Sequence, residues 1–79
     1  MDFGSLEQRV KQSLFDIQTI FNGEPPKGSK SEELKNAITT CYLIWKTSPF
    51  EYAEVLNELM NEFDAAIGLV KLSGDVMEE

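Results

Sequence analysis

The chain is predicted to be all-α, a three-helix up-down-up bundle with a longer third helix. Two observations carry this: three stripes of apolar residues recur at helical spacing, and strong breaker sequences separate them. The connections are short, and only antiparallel neighbours can be joined so economically.

Helix 1 is expected over about 6–22. Leu6, Val10, Leu14, Ile17 and Phe21 step by four, four, three and four, while Glu7, Arg9, Lys11 and Asp16 fall elsewhere on the wheel. Ser5 followed by Gln8 has the form of a capping box at its start. Asn22-Gly23 reads as its stop, with Gly taking the left-handed conformation. The prolines of "EPPKGSK" then remove backbone donors and enforce a loop.

Helix 2 is expected over about 30–47. Either Ser29 paired with Glu32, or Ser31 further in, can cap it, and Glu32-Glu33 suits the positive end of the helix dipole. Leu34, Ala37, Ile38, Cys41, Ile44 and Trp45 gather on one side and are assigned to the core. Leu43 lands nearly opposite them.

Helix 3 is expected over about 49–72. In "SPFE", Ser48 is the expected N-cap, Pro49 occupies the first helical position where a missing N–H matters little, and Glu51 completes a box. Tyr52, Leu56, Leu59, Phe63, Ile67 and Val70 form the stripe, widened by Ala53 and Met60. Ser73-Gly74 is the stop, and residues 74–79 are expected to be an acidic tail. At 1.5 Å per residue helix 3 is about 36 Å long, so its C-terminal turns should overhang the shorter helices. Gly68 lies within it and lowers its propensity. The whole, residues 1–79, is read as one helical domain.

Composition narrows the function. The single Cys41 and the absence of His exclude the usual zinc ligand sets, Ser–His and Cys–His nucleophile pairs, and the common general base of neutral pH. No phosphate-cradling glycine motif or EF-hand loop is present. The expectation is a protein that is not an enzyme and holds no cofactor or metal. Cys41, on the apolar stripe, reads as a buried thiol. Without an internal disulfide or a signal-peptide pattern the chain points to a cytoplasmic, reducing setting. Its longest apolar run, "CYLIW", is too short to span a bilayer.

Net charge is −7, which disfavours direct contact with nucleic acid or anionic membranes. Residues 1–47 hold six acids and six bases, whereas 48–79 hold eight acids and only Lys71, so the imbalance lies in the last two-fifths of the chain. Glu51, Glu54, Glu58 and Glu62 recur at three, four and four residues and form one ridge on helix 3 with no base four residues along. This ridge is the candidate docking surface for a protein partner with a basic face.

A second candidate surface consists of apolar residues that miss the core stripes: Phe15, Ile20, Tyr42, Leu43, Val55, Leu69 and Leu72. Of these, Leu43, Val55, Leu69 and Leu72 are assigned to self-association. A 79-residue chain buries a modest core, and a two-fold dimer is the commonest remedy. The functional expectation is therefore a small acidic interaction module of adaptor, chaperone or inhibitor type that forms a homo-oligomer. The alternative is a monomeric acidic mimic of nucleic acid, or a phage or viral inhibitor, that binds a basic surface of its target.

Overall fold

In a computed structural model describing residues 3–73, the breaker sequences lie where one helix hands over to the next. Helix α1 spans Phe3–Phe21, α2 Lys30–Thr47 and α3 Pro49–Ser73. Together they form a three-helix bundle whose third helix is the longest, with no strand among the described residues. The expected acidic tail, 74–79, lies outside the described residues.

Polar contacts between helices show the direction of each. Residues 9, 13 and 16 of α1 meet residues 64 and 71 of α3 in ascending order, so α1 and α3 run parallel. Residues 7 and 24, near the start and just past the end of α1, meet residues 42 and 35 in descending order, so α2 runs antiparallel between them.

The α1–α2 connection is a Schellman-type stop. The Gly23 amide donates to the Gln18 carbonyl at 2.9 Å and the Asn22 amide to Thr19 at 3.3 Å. Asn22, not Gly23, occupies the left-handed region, with φ 54°, while Gly23 stands at φ 140°. Asn tolerates that region because its short polar side chain has little to clash with.

Ser29 caps α2: its hydroxyl accepts from the Glu32 amide at 3.1 Å. The return half of the box goes elsewhere, since the Glu32 carboxylate accepts from the Gly28 amide at 2.7 Å and the Ser29 amide is taken by the Pro26 carbonyl. Ser31, the other candidate cap, is buried inside the helix.

One expectation at a helix end is corrected. Helix α1 begins at Phe3, so Ser5 lies within it and is not its N-cap. Ser48 serves both helices at once, donating its amide to Ile44 and accepting from the Tyr52 amide, each at 3.0 Å. The turn from α2 to α3 is thus one residue long.

The core consists of Leu6, Val10, Ile17, Ile38, Trp45, Ala53, Leu56, Met60 and Ile67, with Leu14, Phe21, Leu34, Cys41, Tyr52 and Phe63 packed around it. On α2 the buried line is Ser31, Ile38 and Trp45, spaced by sevens. Ala37 and Ile44, assigned to the core from their spacing, are exposed, Ile44 at 43%. The stripe drawn from the sequence was wider than the wedge that two neighbouring helices cover. Ile20 and Tyr42, expected off the core, pack against it instead.

No overhang forms at the C-terminal end of α3. Ile67 is buried and Lys71 reaches Asp16 of α1 at 3.6 Å, so those turns run beside α1. Among the described residues no helix is long and apolar enough to cross a membrane.

Candidate functional site: the outer face of the third helix

Helix α3 has to satisfy two neighbours at once, and its inner side does so with Ala53, Leu56, Met60 and Ile67 at 4% exposure or less. Its outer side is turned to solvent. Glu51, Glu54, Glu58 and Glu62 are all exposed there. Leu69 and Leu72 follow on the same side at 68% and 85% exposure. Val55, 47% exposed, lies one turn from Glu51 and Glu58 at the edge of the ridge, and Leu43, 59% exposed, is on α2. The structure thus brings Leu69, Leu72 and, at its edge, Val55 together with the acidic ridge, and leaves Leu43 on another helix.

What distinguishes the ridge is where the positive charges go. Arg9 pairs with Asp64 at 2.9 Å, Lys35 with Glu24 at 3.2 Å, and Lys71 with Asp16 at 3.6 Å, while Lys11 and Lys46 both approach Glu7. Five of the seven bases are therefore matched to acids that lie off the ridge. Among the described residues no base comes within ion-pair distance of Glu51, Glu54, Glu58 or Glu62.

The α1–α3 contact explains part of this partition. The Arg9 guanidinium donates to Asn57 at 3.0 Å, Asn61 at 3.1 Å and Asp64 at 2.9 Å, spanning two turns of α3. The buried Ser13 hydroxyl donates to the other Asp64 oxygen at 3.2 Å. Beside this clamp runs an open groove of about 540 Å³ lined by Arg9, Ser13, Asp16, Asp64, Gly68 and Lys71 among others. Both of its cations already have carboxylate partners, so it offers no free charge to a ligand.

The α1–α2 contact is arranged around Glu7. It accepts from the Tyr42 hydroxyl at 2.8 Å, with Lys46 at 3.5 Å and Lys11 at 3.6 Å. The Tyr42 bond, aided by the two ammonium groups and opposed by partial desolvation, holds the Glu7 carboxyl below its ordinary value. The same bond pushes the Tyr42 phenol up. On the other flank of α2, Cys41 is half-buried, and its hydrogen bond with Tyr52 raises that phenol too.

One end of the bundle is aromatic. The buried Trp45 meets Phe3 edge-on with ring centres 5.8 Å apart and Tyr42 at 6.0 Å, and the Lys46 ammonium lies 5.6 Å from the centre of each of the Tyr42 and Trp45 rings. Phe50 touches Phe3 with ring centres 5.3 Å apart yet remains 85% exposed. Its exposure escaped the sequence reading. The available signal was that residue 50 lies off the line of Ala53, Leu56 and Met60.

No protein-family model, no curated protein and no solved structure matches this chain.

Proposed function

We propose that this chain is a non-enzymatic protein–protein interaction module that presents the outer face of α3 to a partner with a basic surface. The observation that supports this is the segregation of charge. Five of the seven bases are matched to acids elsewhere, which leaves four exposed glutamates on one face with no ion-pair partner among the described residues. Such a face attracts a basic partner at long range and repels acidic ones, giving on-rate and selectivity. Leu69 and Leu72 on the same side supply apolar area for contact once the partner has arrived.

A second reading is a two-fold dimer in which Leu69 and Leu72 of two copies cover each other, with Leu43 or Val55 extending the contact. The exposure of these four side chains supports it.

Photo-crosslinking in cells tests both. A benzophenone-bearing amino acid replaces Glu58, Leu69 or, as a control on exposed α1 surface, Gln18. Discrete adducts from positions 58 and 69 with none from 18 support the module, and adducts at twice the chain mass identify the dimer. The same pattern from all three positions, or none from α3, overturns it.

A further inference from the structure

We infer that the outer face of α3 is a coiled-coil seam, and that its occupant is a helix of another protein that is basic along one part of its own seam and apolar along the rest. This rests on the interaction-module reading and names the partner's chemistry.

The observation is one of register. Glu51, Glu54, Glu58, Glu62, Ala65, Leu69 and Leu72 are all exposed, and they step by three, four, four, three, four and three. Their mean spacing of about 3.5 residues, indistinguishable over this length from the 3.6 of a straight helix, keeps them on one face along which a second helix can lie. The buried side of α3 keeps the same period through Ala53, Leu56, Met60, Phe63, Ile67 and Val70. Helix α3 therefore carries two such seams on opposite sides, one filled by α1 and α2 and one open. The open seam is about 31 Å long at 1.5 Å per residue.

Its two parts demand different chemistry. Four successive positions are carboxylates and the last three are Ala, Leu and Leu. A covering helix must bring Lys or Arg to the first part, because carboxylates desolvated without a counter-charge are strongly unfavourable. It must bring apolar side chains to the second.

A second copy of this chain does not meet that demand. Pairing two α3 helices in parallel sets glutamate against glutamate at four levels. Pairing them antiparallel over the full seam sets Glu62 against Glu62 and lays Glu54 and Glu51 over Leu69 and Leu72. No base occupies the seam in either case. A dimer overlapping only at Leu69 and Leu72 avoids the clash but engages two or three residues per copy, far from the 20–30 or so per side of a standard stable interface.

The experiment uses the full chain and three synthetic helical peptides of three heptads with identical composition. Their seams carry four Lys then three Leu, three Leu then four Lys, or the two interleaved. Binding is read by fluorescence anisotropy at several salt concentrations. One of the two block peptides is expected to bind roughly tenfold or more tightly than the interleaved one, and which one fixes the orientation. Glu54→Gln/Glu58→Gln/Glu62→Gln should weaken that peptide by about tenfold and flatten its salt dependence, and Leu69→Glu/Leu72→Glu should weaken it similarly, both with unchanged circular dichroism. Equal binding of block and interleaved peptides, or indifference to either variant, overturns the inference. If crosslinks still arise at positions 58 and 69 while the block peptides show no preference, the seam register fails and the module reading stands. If both are absent, both fail.

Discussion

The Tyr42 hydroxyl donates to the Glu7 carboxylate at 2.8 Å across the α1–α2 interface, and Lys11 and Lys46 converge on the same carboxylate. Glu7 is thereby held below its ordinary value of 4.5 and Tyr42 above its ordinary 10.0. For Glu7, a lowered folded pKa means a contribution present above about pH 4.5 and lost as pH falls through the folded value. For Tyr42, a raised folded pKa means a contribution present below about pH 10 and lost as pH rises through the folded value. Urea titrations of the wild type and Glu7→Gln should differ most on the plateau between, begin to approach each other below about pH 4.5 and meet below the folded value. A difference independent of pH in the acid range would show that the charge on Glu7 does not matter.

The Arg9 clamp is the only polar device that spans two turns of α3 among the described hydrogen bonds. Arg9 and Asp64 side chains are 32% and 50% exposed, so solvent screens the pair and its worth is modest. Arg9→Ala should destabilise the bundle by about 1 kcal/mol through the lost hydrogen bonds. A double-mutant cycle with Asp64→Asn reads the coupling directly, and additivity of the two changes would refute the clamp.

These two cross-helix contacts were not legible in the sequence, and the reason is physical. Helical period and breakers are local, so "NGEPPKGS" and "SPFE" located all three helices within a few residues. Which flank of α1 faces α2 and which faces α3 depends on packing, and that decides that Glu7 goes to α2 and Arg9 to α3. The same gap misplaced Ala37 and Ile44, which lie at the edge of a stripe whose middle alone is covered. The glutamate ridge was legible because exposure opposite a core stripe follows from period alone. Its lack of an ion pair among the described residues was not, because that rests on pairings such as Lys71 with Asp16.

Leu56 is fully buried on α3 where all three helices meet the core. Leu56→Ala should remove about 2–5 kcal/mol. A 79-residue chain has only about 4–12 kcal/mol in total at 0.05–0.15 per residue. The variant is therefore expected to melt well below the wild type, or to be unfolded at room temperature by circular dichroism. Leu69→Ala on the outer face of the same helix should leave the melt nearly unchanged, and an equal loss from both would contradict the assignment of the two sides.

Gly68 lies inside α3 without a positive φ, and a Cβ added there would meet nothing within 4 Å. Gly68→Ala should then stabilise by about 0.5–1 kcal/mol through helix propensity and reduced freedom of the unfolded chain. A lower midpoint in thermal unfolding would mean that α3 needs to bend at this position.

Ser29 and Ser31 were equal candidates to cap α2, and the structure gives them opposite roles. The Ser29 hydroxyl accepts from the Glu32 amide and donates to the Pro26 carbonyl at 2.7 Å, so it satisfies a helix-end donor and ties down the loop. Ser31 is 1% exposed, and its hydroxyl has no partner among the described residues. Burying a hydroxyl without a hydrogen bond is unfavourable, and Ala is the better helix former inside the first turn. Ser29→Ala should therefore destabilise by about 1 kcal/mol, the usual loss of a cap. Ser31→Ala should stabilise by about as much through relief of the orphaned hydroxyl. Denaturant midpoints of the two variants should move in opposite directions from the wild type. Movement of both the same way would show that the cap is shared between the two serines.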